Sequence, residues 1–337
     1  MSHPHQAPPV VAVTAPLPGM DDGAFSVSAA AGMPVTLRVM ERPAGPGPSR
    51  DDLLRFVAGA SVVACMFTER VDAELLEAAG PGLKGVCAFA VGVDNIDLRA
   101  CADRSVLVTN TPDAVTEGTA NLALGLLLAC TRRIVAADAF VRAGRFEREG
   151  NGFPSGWMGV HLWGRTLCIV GAGRIGYAVA RRAAAFGMRV TYVARSGHLD
   201  FEASPLEARR VTLDEGLATA DAVSLHTPFT PQTRHLIGAR ELALMKPTSV
   251  LVNTARGPVV DEQALVDALT RRAIWGAGLD VFEREPAVHP GLLTLDNCVL
   301  TPHIGSAEGF WRRRMTEMVR DNAAAIVAGR TPPNLVR

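Results

Sequence analysis

Between Thr166 and Gly187 an apolar run, TLCIV, meets the loop Gly171-Ala172-Gly173-Arg174-Ile175-Gly176 and continues as a helical pattern, YAVARRAAAFG. Few local patterns restrict a fold as strongly. The first glycine permits a tight turn, the second lets the backbone approach a pyrophosphate, and the third lets helix and strand pack closely. The N-terminus of such a helix offers unpaired N–H groups and a partial positive charge to phosphates. Gly171, Gly173, Arg174, Ile175 and Gly176 are therefore expected to hold a dinucleotide. A purely structural glycine turn is the other reading of the same letters.

The alternation of strand and helix runs through most of the chain. VVAVTA, VTLRVM, SVVACMF, KGVCAFAV and VLVTN read as strands before about Asp113, with RDDLLRFVAGA and DAELLEAAG as helices. TLCIV, RVTYV, DAVSLH, SVLVNT and WGAGLDV repeat the pattern after Arg165, and CVLTPHIGS adds a strand and a turn. Alternation of this kind predicts parallel sheets covered by helices on both faces. At 337 residues the chain is long for one core and fits two domains. The fold class expected is α/β. One long helix is expected from about Glu117 to Gly144, with Thr116 as its cap. The loop GNGFPSGWMG follows it, and a last helix is expected from Ala307 to about Ala328.

Charge and composition exclude several partners. Lys plus Arg and Asp plus Glu each number 34, so no net field draws the whole chain to nucleic acid or an anionic membrane. LALGLLLAC, Leu122 to Cys130, is too short to span a bilayer and soon meets Arg132 and Arg133. The opening MSHPHQAPP has no charged segment followed by an apolar one, so no secretory leader is expected. Cys65, Cys87, Cys101, Cys130, Cys168 and Cys298 are scattered without C-x-x-C or Cys/His spacing, which reads as buried reduced thiols in a cytoplasm and no metal site.

RVTYVARSGH, Arg189 to His198, carries an anomaly. A carboxylate usually ends the second strand of a dinucleotide unit, where it accepts from the adenosine ribose and repels a 2′-phosphate. Ala194, Arg195 and Ser196 stand there instead. Ala194 removes the repulsion, Arg195 can pair with a phosphate, and Ser196 can donate to it. NADP(H) is therefore expected over NAD(H), with Arg195 as a solvated bystander in an NAD site the alternative.

Three downstream segments carry the groups that carbonyl reduction requires. LVNTARGPVVD places Arg256 just after an apolar strand, at a carboxyl end where open α/β sheets bind ligands. GLDVFEREP ends a strand with Asp280 and then offers Glu285, and LTPHIGS puts His303 in a turn. Reducing a 2-keto acid needs a cation for the carboxylate, a proton donor for the carbonyl oxygen and a hydride source. His303 suits the donor role, since imidazole titrates near neutrality. A carboxylate on its other ring nitrogen favours the charged form and fixes the ring, which points to Glu285. Arg256 can grip an acid with a fork of donors. Each residue alone has a structural explanation; together, at strand ends behind a dinucleotide loop, they point to catalysis.

In the order GAGRIG, NTARG, GLDVFEREP, TPHIGS, the sequence resembles the D-isomer-specific 2-hydroxyacid dehydrogenases, from about Ala90 through Ser306. The resemblance implies two similar α/β domains flanking a cleft, a Rossmann-type cofactor domain and a flavodoxin-like substrate domain. Residues 1–112 with 307–337 would form the substrate domain and 113–306 the dinucleotide domain. It implies Arg256, Glu285 and His303 as the catalytic set, and the backbone of Val91 and Gly92 as the holder of the substrate carboxylate. Around the cofactor it implies Thr116, His226, Thr227, Pro228, Thr233, Thr254, Ala255, Asp280, His303 and Gly305, beside the glycine loop, Arg195 and Ser196. It also implies a homodimer formed through the helix after Thr116. Glu285, where the formate branch has Gln, speaks against formate. Cys65, where the phosphoglycerate branch has Arg, speaks for an unphosphorylated acid. Met66, Phe67 and Trp157 are read as pocket or core residues alike. The ARS sequence is similar to that of the NADPH-using glyoxylate/hydroxypyruvate reductases. The expected activity is thus reduction of a small 2-keto acid to the D-2-hydroxy acid. The alternatives are an NAD-linked enzyme for a bulkier or phosphorylated acid, or a dinucleotide-sensing regulator.

Overall fold

The computed structural model describes residues 7–22, 25–42 and 47–336; the opening MSHPHQ lies outside the described residues. The chain divides into two compact units, Met1–Val115 with Ser306–Arg337, and Thr116–Gly305.

The first unit carries a five-stranded parallel sheet of β1 (Val10–Val13), β2 (Thr36–Val39), β3 (Val62–Cys65), β4 (Gly85–Ala88) and β5 (Leu107–Thr109), in the order β2-β1-β3-β4-β5. This is the flavodoxin-like order, with its switch point between β1 and β3. β3 and β4 are buried along their whole length, as strands covered on both faces must be, whereas the edge strand β2 runs from exposed to half-buried residues. The C-terminal helix Gly309–Val327 packs over β3 and β4. A side chain at Gly85 would lie 2.6 Å from Ile326 Cδ1, so this glycine sets how near the helix comes.

The second unit carries seven parallel strands: β6 (Thr166–Val170), β7 (Arg189–Val193), β8 (Arg209–Arg210), β9 (Ala222–Leu225), β10 (Val250–Asn253), β11 (Gly276–Leu279) and β12 (Cys298–Leu300). Their order, β12-β11-β10-β9-β6-β7-β8, is the dinucleotide-binding order with one further strand at the edge. Its switch point lies between β6 and β9, where the chain turns from one half of the sheet to the other. β9, β10 and β11 are fully buried, and the short edge strand β8 is exposed. The two sheets are thus the two doubly wound layers that the alternation predicts.

The single helix expected from Glu117 to Gly144 is corrected to three: Thr116–Thr131, Ile134–Arg142 and Arg145–Glu149. The break has a hydrogen-bond cause. The Thr131 carbonyl accepts from Val160 N–H at 2.9 Å rather than from the next turn of helix. The Thr131 hydroxyl donates back to Leu127 O at 2.9 Å, and Arg133 takes a left-handed φ of 55°. Thr116 is the first helical residue, not the cap, and the last helix begins at Gly309 with Glu308 preceding it. All six cysteines are free, and burial pushes the Cys65 and Cys87 thiols up to about 12. Among the described residues no helix is long and apolar enough to cross a membrane.

Candidate functional site

The glycine loop joins β6 to the helix Arg174–Ala185, and its three glycines meet different surroundings. Gly171 has a φ of 105°, and a Cβ there would lie 2.7 Å from the backbone of His226 at the end of β9. A Cβ on Gly176 would lie 2.3 Å from Gly171 O. These two glycines are required by packing alone. A Cβ on Gly173 would meet nothing within 4 Å. The space over Gly173 is open, as a backbone approached by a pyrophosphate must be.

Helices beginning at Arg50, Ala73, Leu98, Leu213 and Glu262 have Ser49, Asp72, Asp97, Thr212 and Asp261 as side-chain caps. The helix at Arg174 has Gly173 in the cap position and no side-chain cap, so its first N–H groups lack that partner. Arg174 is exposed and Ile175 half-buried.

At the end of β7, Ala194 is half-buried while Arg195 and Ser196 are exposed. Two residues absent from the sequence expectations shape this segment. Arg210, paired with Tyr192 in register on β8, donates from Nε to Ala194 O at 3.1 Å and from a terminal nitrogen to Arg195 O at 2.9 Å. The buried Tyr192 hydroxyl accepts from His198 N–H at 3.0 Å and donates to Glu202. Side chain on edge strand and side chain on β7 thus fix both ends of the ARSGH stretch. A double Arg at a strand edge (Arg209, Arg210) is a charge signal, but nothing local says what it faces.

The three residues expected to be catalytic lie beyond the carboxyl ends of β10, β11 and β12. Asn253, 1% exposed, ends β10 and braces the turn: its side chain accepts from Ala255 N–H at 3.0 Å and donates to Arg256 O at 3.0 Å. Arg256 is half-buried and donates to Ala255 O at 2.7 Å. The next residue must be glycine, because a Cβ at Gly257 would fall 1.9 Å from the carbonyl of Phe282. Glu285, in the turn after β11, accepts from Phe282 N–H through Oε1 at 3.0 Å. Its Oε2 lies 2.8 Å from His303 Nδ1. The structure therefore brings Glu285 and His303 together across 18 residues, with Arg256 in the turn after β10, the strand beside β11.

Asp280 organises the turn that carries the histidine. It is 1% exposed, and its carboxylate accepts from the Thr301 hydroxyl at 2.6 Å and from Ile304 and Gly305 N–H at 2.8 Å each. Burial still holds its carboxyl above the ordinary range. His303 N–H donates to Asp280 O at 2.9 Å, and His303 takes a φ of 54°. A Cβ at Gly305 would press on Asp280 Oδ2 and Thr119 Oγ1 at 3.2 Å. Gly305 O in turn accepts from Thr119 at 3.3 Å.

Three buried polar atoms without partners gather at the ends of two neighbouring strands. His226 Nδ1, Thr227 Oγ1 and Thr254 Oγ1 are buried with no hydrogen-bond partner among the described residues. They lie at the ends of β9 and β10, beside the loop that passes under His226. Unpaired buried groups are costly, and a bound ligand at these strand ends would satisfy all three. Burial pushes the His226 ring down to about 3, and its Nε2 lies 2.8 Å from the Ser224 hydroxyl. Pro228 and Thr233 belong to the following loop, closed by the Thr233 hydroxyl donating to Pro228 O at 2.8 Å. Ala255 is buried beside Thr254, and Thr116 is half-buried at its helix start. The orphaned atoms, the uncapped helix and the open Gly173 together fit a dinucleotide.

In the first unit, Val91 and Gly92 are half-buried in the loop after β4. Their N–H groups make no hydrogen bond among the described residues. Met66 and Phe67 lie at the end of β3, with Met66 N–H donating to the buried Glu69 at 2.9 Å. Trp157 packs edge-on to Phe140 at 5.0 Å, with the Arg133 guanidinium 5.1 Å over its ring, which is a packing role on the helix Ile134–Arg142.

The family model described as D-isomer specific 2-hydroxyacid dehydrogenase, NAD binding domain, matches residues 124–305. A glyoxylate reductase of Thermococcus litoralis is 48% identical over 290 residues, 86% of this chain and 87% of the relative. A solved structure from Thermus thermophilus superposes with a TM-score of 0.87 at 43% identity, covering 97% of this chain and 100% of that one. An NADPH-dependent glyoxylate/hydroxypyruvate reductase of Sinorhizobium meliloti, solved with NADP and malonate, superposes with a TM-score of 0.81 at 34% identity. That match covers 98% of this chain and 97% of the other.

Proposed function

Since the chain belongs to the D-isomer-specific 2-hydroxyacid dehydrogenases, and is thereby an NAD(P)-dependent oxidoreductase, we propose that it reduces glyoxylate or hydroxypyruvate to the D-2-hydroxy acid with NADPH. The observation that carries the reading is the His303 Nδ1–Glu285 Oε2 pair at 2.8 Å, at a strand end in the same sheet as the glycine loop. With Nδ1 committed to the carboxylate, the proton delivered to the substrate oxygen leaves from Nε2. Glu285 then stabilises the ring through the bond already in place. Arg256 grips the acid with its guanidinium, and the Asn253 brace keeps that side chain aimed from its turn. The N–H groups of Val91 and Gly92 take the substrate carboxylate in this reading.

When bound, the nicotinamide supplies the hydride that reaches the keto carbon. Gly173 and the N-terminus of the helix Arg174–Ala185 would take the pyrophosphate of the dinucleotide. Thr227, Thr254 and His226 supply the polar contacts their unpaired atoms invite, and Arg195 with Ser196 holds the 2′-phosphate. Glyoxylate reductases among the relatives, and an NADPH-dependent one among the solved structures, support the substrate and cofactor choice.

Exposed apolar side chains support a homodimer. Ile134, Val135 and Val141 on one helix, with Phe146, Phe153 and Trp163 after it, are each more than half exposed, and exposed apolar side chains of this size are what a partner surface covers. Light scattering on the purified chain at micromolar concentration is expected to give twice the mass of the chain; the mass of one chain would end the dimer reading.

The test of function is initial rate on glyoxylate and hydroxypyruvate with NADPH and with NADH, with chiral analysis of the glycerate formed. Turnover preferring NADPH and yielding D-glycerate is expected. Faster turnover of bulkier keto acids with NADH would transfer the reading to the NAD-linked alternative. Tight cofactor binding without turnover would make the protein a sensor.

A further inference from the structure

We propose that three asparagines, Asn110, Asn322 and Asn334, form a positioning relay that aims the Gly92 N–H at the substrate carboxylate. The inference rests on the reading of Val91 and Gly92 as the carboxylate holder. Asn110 follows β5, next to β4 in the sheet, and its side-chain amide donates to Val91 O at 2.8 Å. In a trans peptide the carbonyl and the N–H point in opposite directions. The cis bonds of the described residues all precede proline elsewhere, so the Val91–Gly92 bond is trans. Holding Val91 O against Asn110 therefore turns the Gly92 N–H to the other side, where it has no partner among the described residues.

The side chain of Asn110 is held only if its backbone is. Asn322, on the helix Gly309–Val327 and 0% exposed, donates to Asn110 O at 3.3 Å. Its own carbonyl oxygen accepts from Asn334 N–H at 3.1 Å and from the Asn334 amide at 3.2 Å. Asn110 N–H closes the ring by donating to Asn334 O at 3.2 Å. The segment around Asn334 is docked on the edge of the sheet, with Thr109 bridged antiparallel to Leu335 and Val336 N–H donating to Val108 O at 2.8 Å. Each residue in the ring donates and accepts, and an asparagine-only ring allows no shift of register without leaving a buried amide unpaired. The far side of the loop is tied separately: Thr111 N–H donates to Ala90 O at 2.8 Å, and the Asn95 amide to Glu69 O at 2.7 Å. The donors at Val91 and Gly92 remain for a ligand.

Steady-state kinetics on Asn110→Ala, Asn110→Asp and Asn334→Ala, with a Gly92→Pro variant alongside, test this. Asn110→Ala and Asn110→Asp are expected to raise KM for glyoxylate about tenfold, with kcat and KM for NADPH nearly unchanged. Asn334→Ala, half-buried and one step removed, is expected to raise the same KM about threefold. A general structural loss would instead lower kcat and cofactor affinity together, which overturns the inference. An unchanged glyoxylate KM in all three asparagine variants, while Gly92→Pro raises it, also overturns the inference and leaves the carboxylate reading standing. An unchanged KM in Gly92→Pro removes that reading itself.

Discussion

In the turn after β12, the polar groups find partners inside the chain: Asp280 alone satisfies a hydroxyl and two backbone N–H groups, and His303 is locked to Glu285. At the ends of β6 and β9, by contrast, the helix start has no side-chain cap, and His226 and Thr227 each bury an unpaired atom. The groups assigned to chemistry are preorganised by the fold, as is Asp280 on the nicotinamide side, and the groups assigned to the pyrophosphate side are left for the cofactor to complete. A preorganised donor needs no rearrangement as charge develops. An incomplete cofactor cradle couples binding to the satisfaction of buried groups, so affinity grows where the bare protein is penalised.

The sharpest way to break this contrast is to remove the donor. His303→Ala is expected to lower kcat about 10³-fold while NADPH affinity, measured by quenching or calorimetry, stays nearly constant. A comparable fall in cofactor affinity would mean that the turn belongs to the cradle as well. Two glycines divide the loop in the same way. Gly176→Ala drives a Cβ to within 2.3 Å of Gly171 O, and a loss of about 2 kcal/mol or more in unfolding free energy is expected. Gly173→Ala clashes with nothing in the protein, so its melting temperature should hold while cofactor affinity falls about 100-fold. A stable Gly173→Ala variant with undiminished affinity would remove the pyrophosphate from this loop.

At the strand edge the contrast becomes one of cofactor choice. Arg195→Ala is expected to raise KM for NADPH about ten- to a hundredfold and to leave KM for NADH alone. Arg210 braces the Ala194 and Arg195 carbonyls, so Arg210→Ala is expected to raise KM for NADPH about threefold to tenfold. Equal effects on both cofactors in Arg195→Ala would make it a bystander.

What the sequence made legible follows from what each signal measures. The glycine loop was readable because backbone geometry demands particular residues at fixed spacing, and Gly171 and Gly176 meet that demand in the structure. The buried strands were readable as apolar runs because both faces are covered. The Glu285–His303 pairing needed the family motif as well, since 18 residues of turn and strand separate them. Arg210, Tyr192, Asn253 and the three asparagines were not readable. Each acts through a hydrogen bond whose partner is fixed by tertiary packing, and a polar residue looks the same in sequence whether it faces water or a carbonyl. The helix break at Arg133 is of this kind: its cause, Val160 N–H, lies in a loop well down the chain.

The smallest expected effect sits on the incomplete side. Burial holds the His226 ring neutral down to about 3, whereas an unfolded chain protonates histidine near ~6.5. Between those values the unfolded state binds the extra proton, so the unfolding free energy from this group rises with pH across the interval and is level above it. Acidifying the cofactor-free protein from about pH 6.5 to about 4.5 should therefore lower its melting temperature, and His226→Gln should flatten part of that slope. A Gln keeps a polar group beside Ser224 but has no proton to exclude, so the difference between the two slopes isolates the ring. Identical slopes would show that His226 accepts a proton in the folded protein. Its unpaired nitrogen would then be reached by water before any cofactor arrives, and the incompleteness of that strand end would rest on Thr227 and Thr254 alone.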